Sequence, residues 1–96
     1  MIVRLVRMTF IPDQVDAFLN IFDEASDRIR EVDGCEHLEL WRDCRYPGVI
    51  STYSLWRSEQ QLNAYRDSEL FRSTWKRTKA LFAAPPQAFS HTVLRS

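Results

Sequence analysis

The sequence predicts an α+β domain of the ferredoxin-like order β-α-β-β-α-β, with an antiparallel four-stranded sheet and the helices on one face. Stretches of β-branched and aliphatic residues alternate with stretches of helical period, and helix-capping residues stand where the period changes. Because the 96 residues contain no linker, internal repeat or low-complexity stretch, we expect one domain over residues 1–96.

A change of hydrophobic period separates the first strand from the first helix. Residues 2–10, IVRLVRMTF, are β-branched and aliphatic with interspersed arginine, which is typical of a strand. Residues 13–33 then place apolar side chains near one stripe of a helix: Val15, Phe18, Leu19, Phe22, Ala25, Ile29 and Val32. Pro12 and Asp13 suit the first turn of this helix, and Gly34 suits the position just past its end.

A hairpin follows in the next part of the chain. CEHLELWRDC, residues 35–44, predicts the second strand, and VISTYSLW, residues 49–56, predicts the third. Between them, Pro47 and Gly48 fit the central positions of a type II turn.

Two caps predict a broken helical segment after the third strand. Ser58 and Gln61 match the S-x-x-Q capping box, and Asp67 with Ser68 offers a second start. We therefore expect a short helix near 58–66 and a longer one near 68–83. Pro85 and Pro86 should end the longer helix, and QAFSHTVL, residues 87–94, should be the last strand.

Charge and composition exclude several classes of partner. Thirteen basic and thirteen acidic side chains cancel, so we expect no nucleic-acid partner. No stretch approaches the roughly 18 consecutive apolar residues of a membrane span, and no leader is recognisable, so we expect a soluble cytoplasmic protein without a membrane partner. Cys35 and Cys44 are expected to be free thiols, because an extended segment holds them too far apart to bridge.

Both faces of the predicted sheet are apolar. The third strand offers Val49, Tyr53 and Leu55 on one face and Ile50 and Trp56 on the other. Two helical segments cover only one face, and a large uncovered apolar face is typical of an interface. The sequence therefore predicts a homodimer in which two identical sheets pack face to face.

The order of elements, with GCEHLELWRD, STYSLWRSEQQL, YRDSELF and KALFAAPP, resembles the antibiotic biosynthesis monooxygenase (ABM) domain family of dimeric α+β barrels. The resemblance covers nearly the whole chain. It implies a pocket between helices and sheet in which an electron-rich planar substrate, once deprotonated, passes an electron to dioxygen. It implies no cofactor for that chemistry.

Other branches of the family match less well. The haem-degrading branch uses an asparagine of the first strand and a histidine ligand in the second helical segment, whereas residues 2–10 contain no asparagine and the ligand position falls on Trp75. Haem degradation is therefore disfavoured. The quinol-oxidising branch tends to have histidines where this chain has Tyr65 and Leu70, so the acid-base groups of that branch are missing as well.

Aromatic side chains are the candidate substrate-binding residues. Trp56, Phe71 and Trp75 could stack a planar ligand, and packing in the core is the ordinary alternative. Tyr65 offers a phenol at the entrance of the expected pocket. Its usual pKa of about 10 makes it a donor to an anion rather than a base at neutral pH.

The candidate groups for acid-base chemistry are few. Histidine is the side chain best suited to act as a general base at neutral pH, so His37 or His91 is a candidate for that role, and a structural role on a strand is the alternative. Arg4 is a candidate contact for a substrate phenolate, and a surface ion pair or a snorkelling stem is the alternative. Two histidines without a carboxylate at ligand spacing predict no metal site.

Two functions follow from these residues. The first is a cofactor-independent monooxygenase that uses dioxygen on a small phenolic, quinol or polyketide-like aromatic. The second is a non-catalytic homodimer of the same fold that binds a small apolar ligand or has a structural role.

Overall fold

The computed structural model describes all 96 residues and confirms the order of strands and helices that the sequence predicts. The strands are β1 (Ile2–Phe10), β2 (Cys35–Arg42), β3 (Val49–Trp56) and β4 (Phe82–Thr92). The helices are α1 (Val15–Arg30), α2 (Glu59–Arg66) and α3 (Glu69–Lys79), and a 3-10 turn at Pro12–Gln14 precedes α1. The sheet is antiparallel throughout in the order β2-β3-β1-β4, which is the ferredoxin-like arrangement.

The even-numbered side chains of β1 and β3 face the helices. Met8 on β1 and Ile50 on β3 are cross-strand partners, and both are buried against Phe18 of α1. A second buried cluster joins Ala25 and Ile29 of α1 to Leu38 of β2. Because side chains alternate along a strand, the odd-numbered residues of β1 and β3 lie on the opposite face.

The helices lie side by side and are linked by charge. The acidic surface of α1 and the basic surface of α3 meet where Arg77 Nη1 donates to Glu24 Oε2 at 3.1 Å. Ser58 and Ser68 cap α2 and α3 as expected, since each hydroxyl oxygen accepts a hydrogen bond from the backbone N–H three residues on. No helix has the length and hydrophobicity needed to cross a bilayer.

The predicted boundary between the last helix and the last strand is wrong. Helix α3 ends at Lys79 rather than near residue 83, and β4 runs from Phe82 to Thr92 rather than over residues 87–94. Pro85 and Pro86 lie inside β4, where the pairing with β1 shifts register between Arg7 and Thr9. This is possible because β4 is an edge strand and the register shift removes the need for their N–H groups.

Only one of the two turn glycines has the positive φ that favours glycine. The Pro47–Gly48 turn exists, closed by a hydrogen bond from Val49 N to Tyr46 O at 3.0 Å, but Gly48 lacks the positive φ of a type II turn. Gly34 has that conformation, with φ of 90°, in a turn closed by Cys35 N donating to Val32 O at 3.0 Å. Helix α1 ends at Arg30, earlier than residue 33, and this turn leads into β2.

The sheet face opposite the helices is rich in aromatic and aliphatic side chains. We call this surface the open face; it consists of Val3, Leu5, His37, Glu39, Trp41, Tyr53, Leu55, Phe89 and His91. Trp41 stacks on Tyr53 with ring centroids 4.8 Å apart. Trp41 and Phe89 are nevertheless 43% and 47% exposed in the single chain.

Candidate functional site

A cavity lies between the helices and the sheet. Its volume is about 210 Å³, and 14 of its 20 lining residues are hydrophobic. The sheet contributes Arg4, Val6, Met8, Leu38, Thr52, Ser54, Trp56 and Ala88. The helices contribute Phe18, Ile21, Phe22, Ala25, Ile29, Leu62, Tyr65, Arg66, Phe71, Thr74, Trp75 and Thr78. Such an apolar site with a few polar groups is typical of small-molecule binding.

Four of these side chains form a continuous aromatic wall, which we define as Trp56, Tyr65, Phe71 and Trp75. Trp56 stacks on Tyr65 at a centroid distance of 4.9 Å, and the Phe71 and Trp75 rings are nearly parallel at 5.9 Å. Between these pairs, Tyr65 meets Phe71 edge to face at 5.3 Å. The structure brings these four residues together, and the packing and ligand-binding interpretations are compatible because the wall both packs and lines the cavity.

The sheet fixes Trp56 at one end of the wall. Trp56 is the last residue of β3, is only 1% exposed, and donates from Nε1 to Ser54 Oγ at 3.0 Å. Ser54 is itself buried and lines the cavity, two residues earlier on the same face of β3. With its polar atom satisfied within the strand, Trp56 presents an indole held in one orientation.

Tyr65 contributes a phenol that keeps its proton. Burial, followed by the nearby Cys35 thiol, raises the pKa of Tyr65 to about 12. At neutral pH its hydroxyl is therefore a hydrogen-bond donor and not a base, as expected from the sequence.

The charged groups of the cavity are two arginines. Arg4 lies in the middle of β1, half-buried, and its Nη1 donates to Ser90 Oγ of β4 at 2.9 Å. Arg66 is the last residue of α2 and is exposed at the rim. Burial and, to a smaller degree, the positive charge of Arg66 lower the pKa of the Arg4 guanidinium. The lining contains no histidine and no carboxylate, so the field inside the cavity is positive.

The structure does not bring His37 or His91 into the cavity. Both lie on the open face, since His37 is the β2 partner of Leu55 and His91 is the β4 partner of Val3. His37 Nε2 shares a hydrogen bond with Glu39, and Glu39 also accepts from Trp41 Nε1 at 2.8 Å. These bonds, first that of Trp41 and then that of His37, lower the pKa of Glu39. Neither histidine can act as a base in this cavity, because the alternation of side chains along a strand directs both to the opposite face of the sheet.

The cysteines do not supply a nucleophile. Both are free, and burial raises the pKa of the Cys35 thiol, which disfavours the reactive thiolate. No group of three or more His, Cys, Asp or Glu side chains is placed to hold a metal ion.

Several polar lining residues were not singled out from the sequence as site residues. Arg66, Thr52 and Ser54 are the main ones. The two β3 residues could have been found from strand alternation, because they share a face with Trp56. Arg66 could not, since a basic residue at the end of a helix is ordinarily explained by the helix dipole.

Comparison with known proteins identifies the family. The sequence model of the family described as antibiotic biosynthesis monooxygenase matches residues 1–77. No curated protein sequence matches the chain. Among solved structures, a Mycobacterium tuberculosis protein is similar with 20% identity and a TM-score of 0.90, over 99% of this chain and 96% of that one.

Two further structures carry the family description in their names. A candidate antibiotic biosynthesis monooxygenase from Nitrosomonas europaea is 14% identical, with a TM-score of 0.90 over 99% of this chain and 100% of that one. Another from Caulobacter crescentus is 17% identical, with a TM-score of 0.91 over 98% and 90%. These likenesses show the fold, and the family model matches most of the chain. The chain therefore belongs to the antibiotic biosynthesis monooxygenase family.

Proposed function

We propose that this protein is a cofactor-independent monooxygenase that oxidises a small phenolic, quinol or polyketide-like aromatic with dioxygen. The observation that carries the proposal is the apolar cavity, which is lined both by the aromatic wall and by the positively charged Arg4 on the sheet. A planar substrate fits against the wall, and an oxygen atom of that substrate that becomes negative finds a donor at Arg4. Family membership supports the same class of reaction.

The proposed reaction converts a methylene group between two aromatic rings to a ketone. Loss of a proton to solvent at the cavity mouth gives a delocalised anion. One electron passes to dioxygen, and the resulting superoxide and carbon radical combine to form a C–O bond. The peroxide takes up a proton and then loses water. The carbon gives up four electrons, dioxygen accepts four, and its two oxygen atoms end in the ketone and in water.

The residues of the cavity would act by stabilising the anion rather than by removing the proton. The lining offers no histidine or carboxylate as a base, so the positive field of Arg4 would make the bound substrate more acidic instead. The protonated Tyr65 can donate a hydrogen bond to the developing oxyanion. The apolar wall would keep water from the radical pair.

We also propose that the protein works as a homodimer formed through the open face. Trp41 and Phe89 are large and about half exposed there, and Leu5 and Leu55 lie between them on the central strands. A second copy would cover this face and leave the cavity on the helix side of each subunit.

Oxygen uptake tests the proposed reaction. Metal-depleted protein would be offered a panel of anthrones and hydroquinones in an oxygen-electrode cell, and we expect uptake above the uncatalysed rate. Trp75→Ala should lower that rate at least tenfold, because it removes one end of the aromatic wall. Tyr46→Ala is the matched control, since Tyr46 is 54% exposed in a loop away from the cavity. Equal rates for wild type and Trp75→Ala would refute the site.

The lack of a base in the cavity lining favours a second candidate function. On that view the cavity binds a small aromatic molecule without turning it over. Binding of the same panel without oxygen uptake would favour this ligand-binding function over catalysis.

A further inference from the structure

We propose that the cavity recognises a planar aromatic ligand that arrives as an anion, with its charged oxygen held between Arg4 and Arg66 and its ring against the aromatic wall. This inference names the class of substrate for the proposed function. It rests on that function only in that both use the same cavity.

The two arginines come from opposite sides of the cavity. Arg4 projects from β1 in the sheet, and Arg66 closes α2, which packs over the end of β3. They are the only charged residues among the 20 that line the cavity. A ligand lying between helix and sheet would therefore meet positive charge from both sides.

Neither guanidinium has a carboxylate partner within the chain. Arg7, Arg30, Arg57, Arg72 and Arg77 each lie within 4.0 Å of an aspartate or glutamate, whereas Arg4 and Arg66 do not. Arg28, Arg42, Arg45 and Arg95 also form no such pair, but they do not line the cavity. Arg4 instead donates to the neutral hydroxyl of Ser90, which uses one of its five N–H donors. The arrangement leaves donors free on a half-buried cation.

Two like charges around an apolar space are unfavourable until an anion joins them. Burial is the larger cause of the lowered pKa of Arg4, and repulsion from Arg66 is the smaller one. A carboxylate or phenolate between the guanidiniums would satisfy both, and arginine is well suited to planar oxygen anions. The unpaired arginines thus favour an anionic ligand over a neutral one.

The position of Arg66 adds a route of entry. Its side chain is exposed at the rim, whereas Arg4 is half-buried. An approaching anion would meet Arg66 first and then Arg4, with the ring passing along Tyr65.

Matched ligands of one shape test the charge requirement. Binding of 2-naphthoate and its neutral isostere naphthalene-2-carboxamide would be measured by calorimetry, with quenching of tryptophan fluorescence as a second readout. In a separate arm, 4-nitrophenol would be titrated with and without protein, because its colour reports the phenolate. We expect 2-naphthoate to bind at least tenfold more tightly than the amide, or the bound nitrophenol to ionise at lower pH.

Variants assign the effect to the two arginines. Arg4→Gln and Arg66→Gln should each abolish most of the preference for the anion, while Lys76→Gln should keep it. Lys76 is the control because it is an exposed cation of α3 outside the cavity lining. Arg66→Gln keeps the test valid if loss of the Ser90 contact unfolds Arg4→Gln, since Arg66 is at the surface.

The outcomes separate this inference from the proposed reaction. Equal binding of anion and amide together with no shift in nitrophenol ionisation overturns the inference, as does a preference that survives in Arg66→Gln. Arginine-dependent anion binding without oxygen uptake supports the inference and refutes the reaction. Oxygen uptake with neutral quinols but without a preference for the anion supports the reaction and refutes the inference. Preference in one arm only identifies the anion as a carboxylate or as a phenolate.

Discussion

Gly34 holds the one positive φ in the chain and lies where two parts of the fold come closest. Its carbonyl accepts a hydrogen bond from Arg57 N at 2.8 Å, and a Cβ built on it would lie 2.5 Å from Gln61 Cβ. Gln61 donates in turn to Asp33 Oδ2 at 3.1 Å. This single residue therefore fixes the turn into β2 against the first turn of α2.

Gly34→Ala should destabilise the fold through both backbone strain and collision. We expect the free energy of unfolding to fall by about 1–3 kcal/mol, measured by urea denaturation. Gly48→Ala is the matched control, because Gly48 has no positive φ and its Cβ would lie 3.3 Å from Phe10 O. Its loss should be smaller, about 0.5 kcal/mol. Equal losses for the two variants would contradict the role of Gly34.

At the residue scale, strand alternation predicts which side chains share the cavity. It correctly places Arg4 with Val6 and Met8 on the cavity side. The same rule, applied across the sheet, sends His37 and His91 to the open face through their partners Leu55 and Val3. The chemistry of the imidazole makes a histidine a candidate base wherever it lies in the fold. Only the pairing of the strands shows whether its side chain is in the cavity.

At the scale of elements, the junction of α2 and α3 shapes the cavity. Ser68 caps α3 by accepting from Phe71 N at 3.2 Å, and its hydroxyl donates to Tyr65 O at 2.6 Å. One side chain thus joins the end of the helix carrying Tyr65 to the start of the helix carrying Phe71 and Trp75.

Ser68→Ala should cost about 1 kcal/mol of stability, because the first turn of α3 loses its cap. Ser73→Ala is the control: Ser73 is exposed within α3 and donates only to Leu70 O at 3.3 Å, so its replacement should be neutral or slightly stabilising. Thermal unfolding followed by circular dichroism compares the two. A Ser68→Ala protein as stable as Ser73→Ala would show that the junction does not depend on this hydroxyl.

Helix starts could be predicted from the sequence, whereas the last helix end could not. Ser58 and Ser68 are local signals, since each cap acts three residues along the chain. The end of α3 depends on a distant contact: Phe82 joins β4 and packs on Phe10 of β1 at a centroid distance of 5.4 Å. Helical spacing alone assigns Leu81 and Phe82 to the helix, because a local sequence pattern contains no information about the contact between Phe82 and Phe10.

At the scale of the whole molecule, the open face is the surface of the proposed homodimer. Leu5 lies near its centre, paired with Tyr53 on one side and Phe89 on the other. A second sheet packed there would desolvate all three.

Leu5→Glu should therefore dissociate the proposed homodimer, because a carboxylate at the centre of an apolar interface would lose its hydration without gaining a partner. Analytical ultracentrifugation at low micromolar concentration should show a dimer for wild type and a monomer for Leu5→Glu. Lys76→Glu, with a new carboxylate on the exposed side of α3, should stay dimeric. A folded wild-type monomer under these conditions would refute the face-to-face arrangement.

The layered architecture can be predicted from the sequence, whereas the arrangement of the charged residues around the cavity cannot. Element order and the two apolar sheet faces follow from periods of two and about 3.6 residues, which are local patterns. The position of Arg66 opposite Arg4 depends on how α2 crosses the sheet, and the sequence contains no periodic signal for that angle. The large aromatic residues and Arg4 could be selected as site candidates from the sequence, whereas Arg66, which also lines the cavity, could not.

The two prolines in β4 also limit how copies of this chain can join. A sheet can grow sideways only where an edge strand offers a row of N–H and C=O groups, and Pro85 and Pro86 interrupt that row with residues that cannot donate. Edge-to-edge pairing is thereby discouraged where these two prolines lie. Contact through one surface related by twofold symmetry, by contrast, is complete after two copies, so the proposed face-to-face homodimer would not grow beyond a pair.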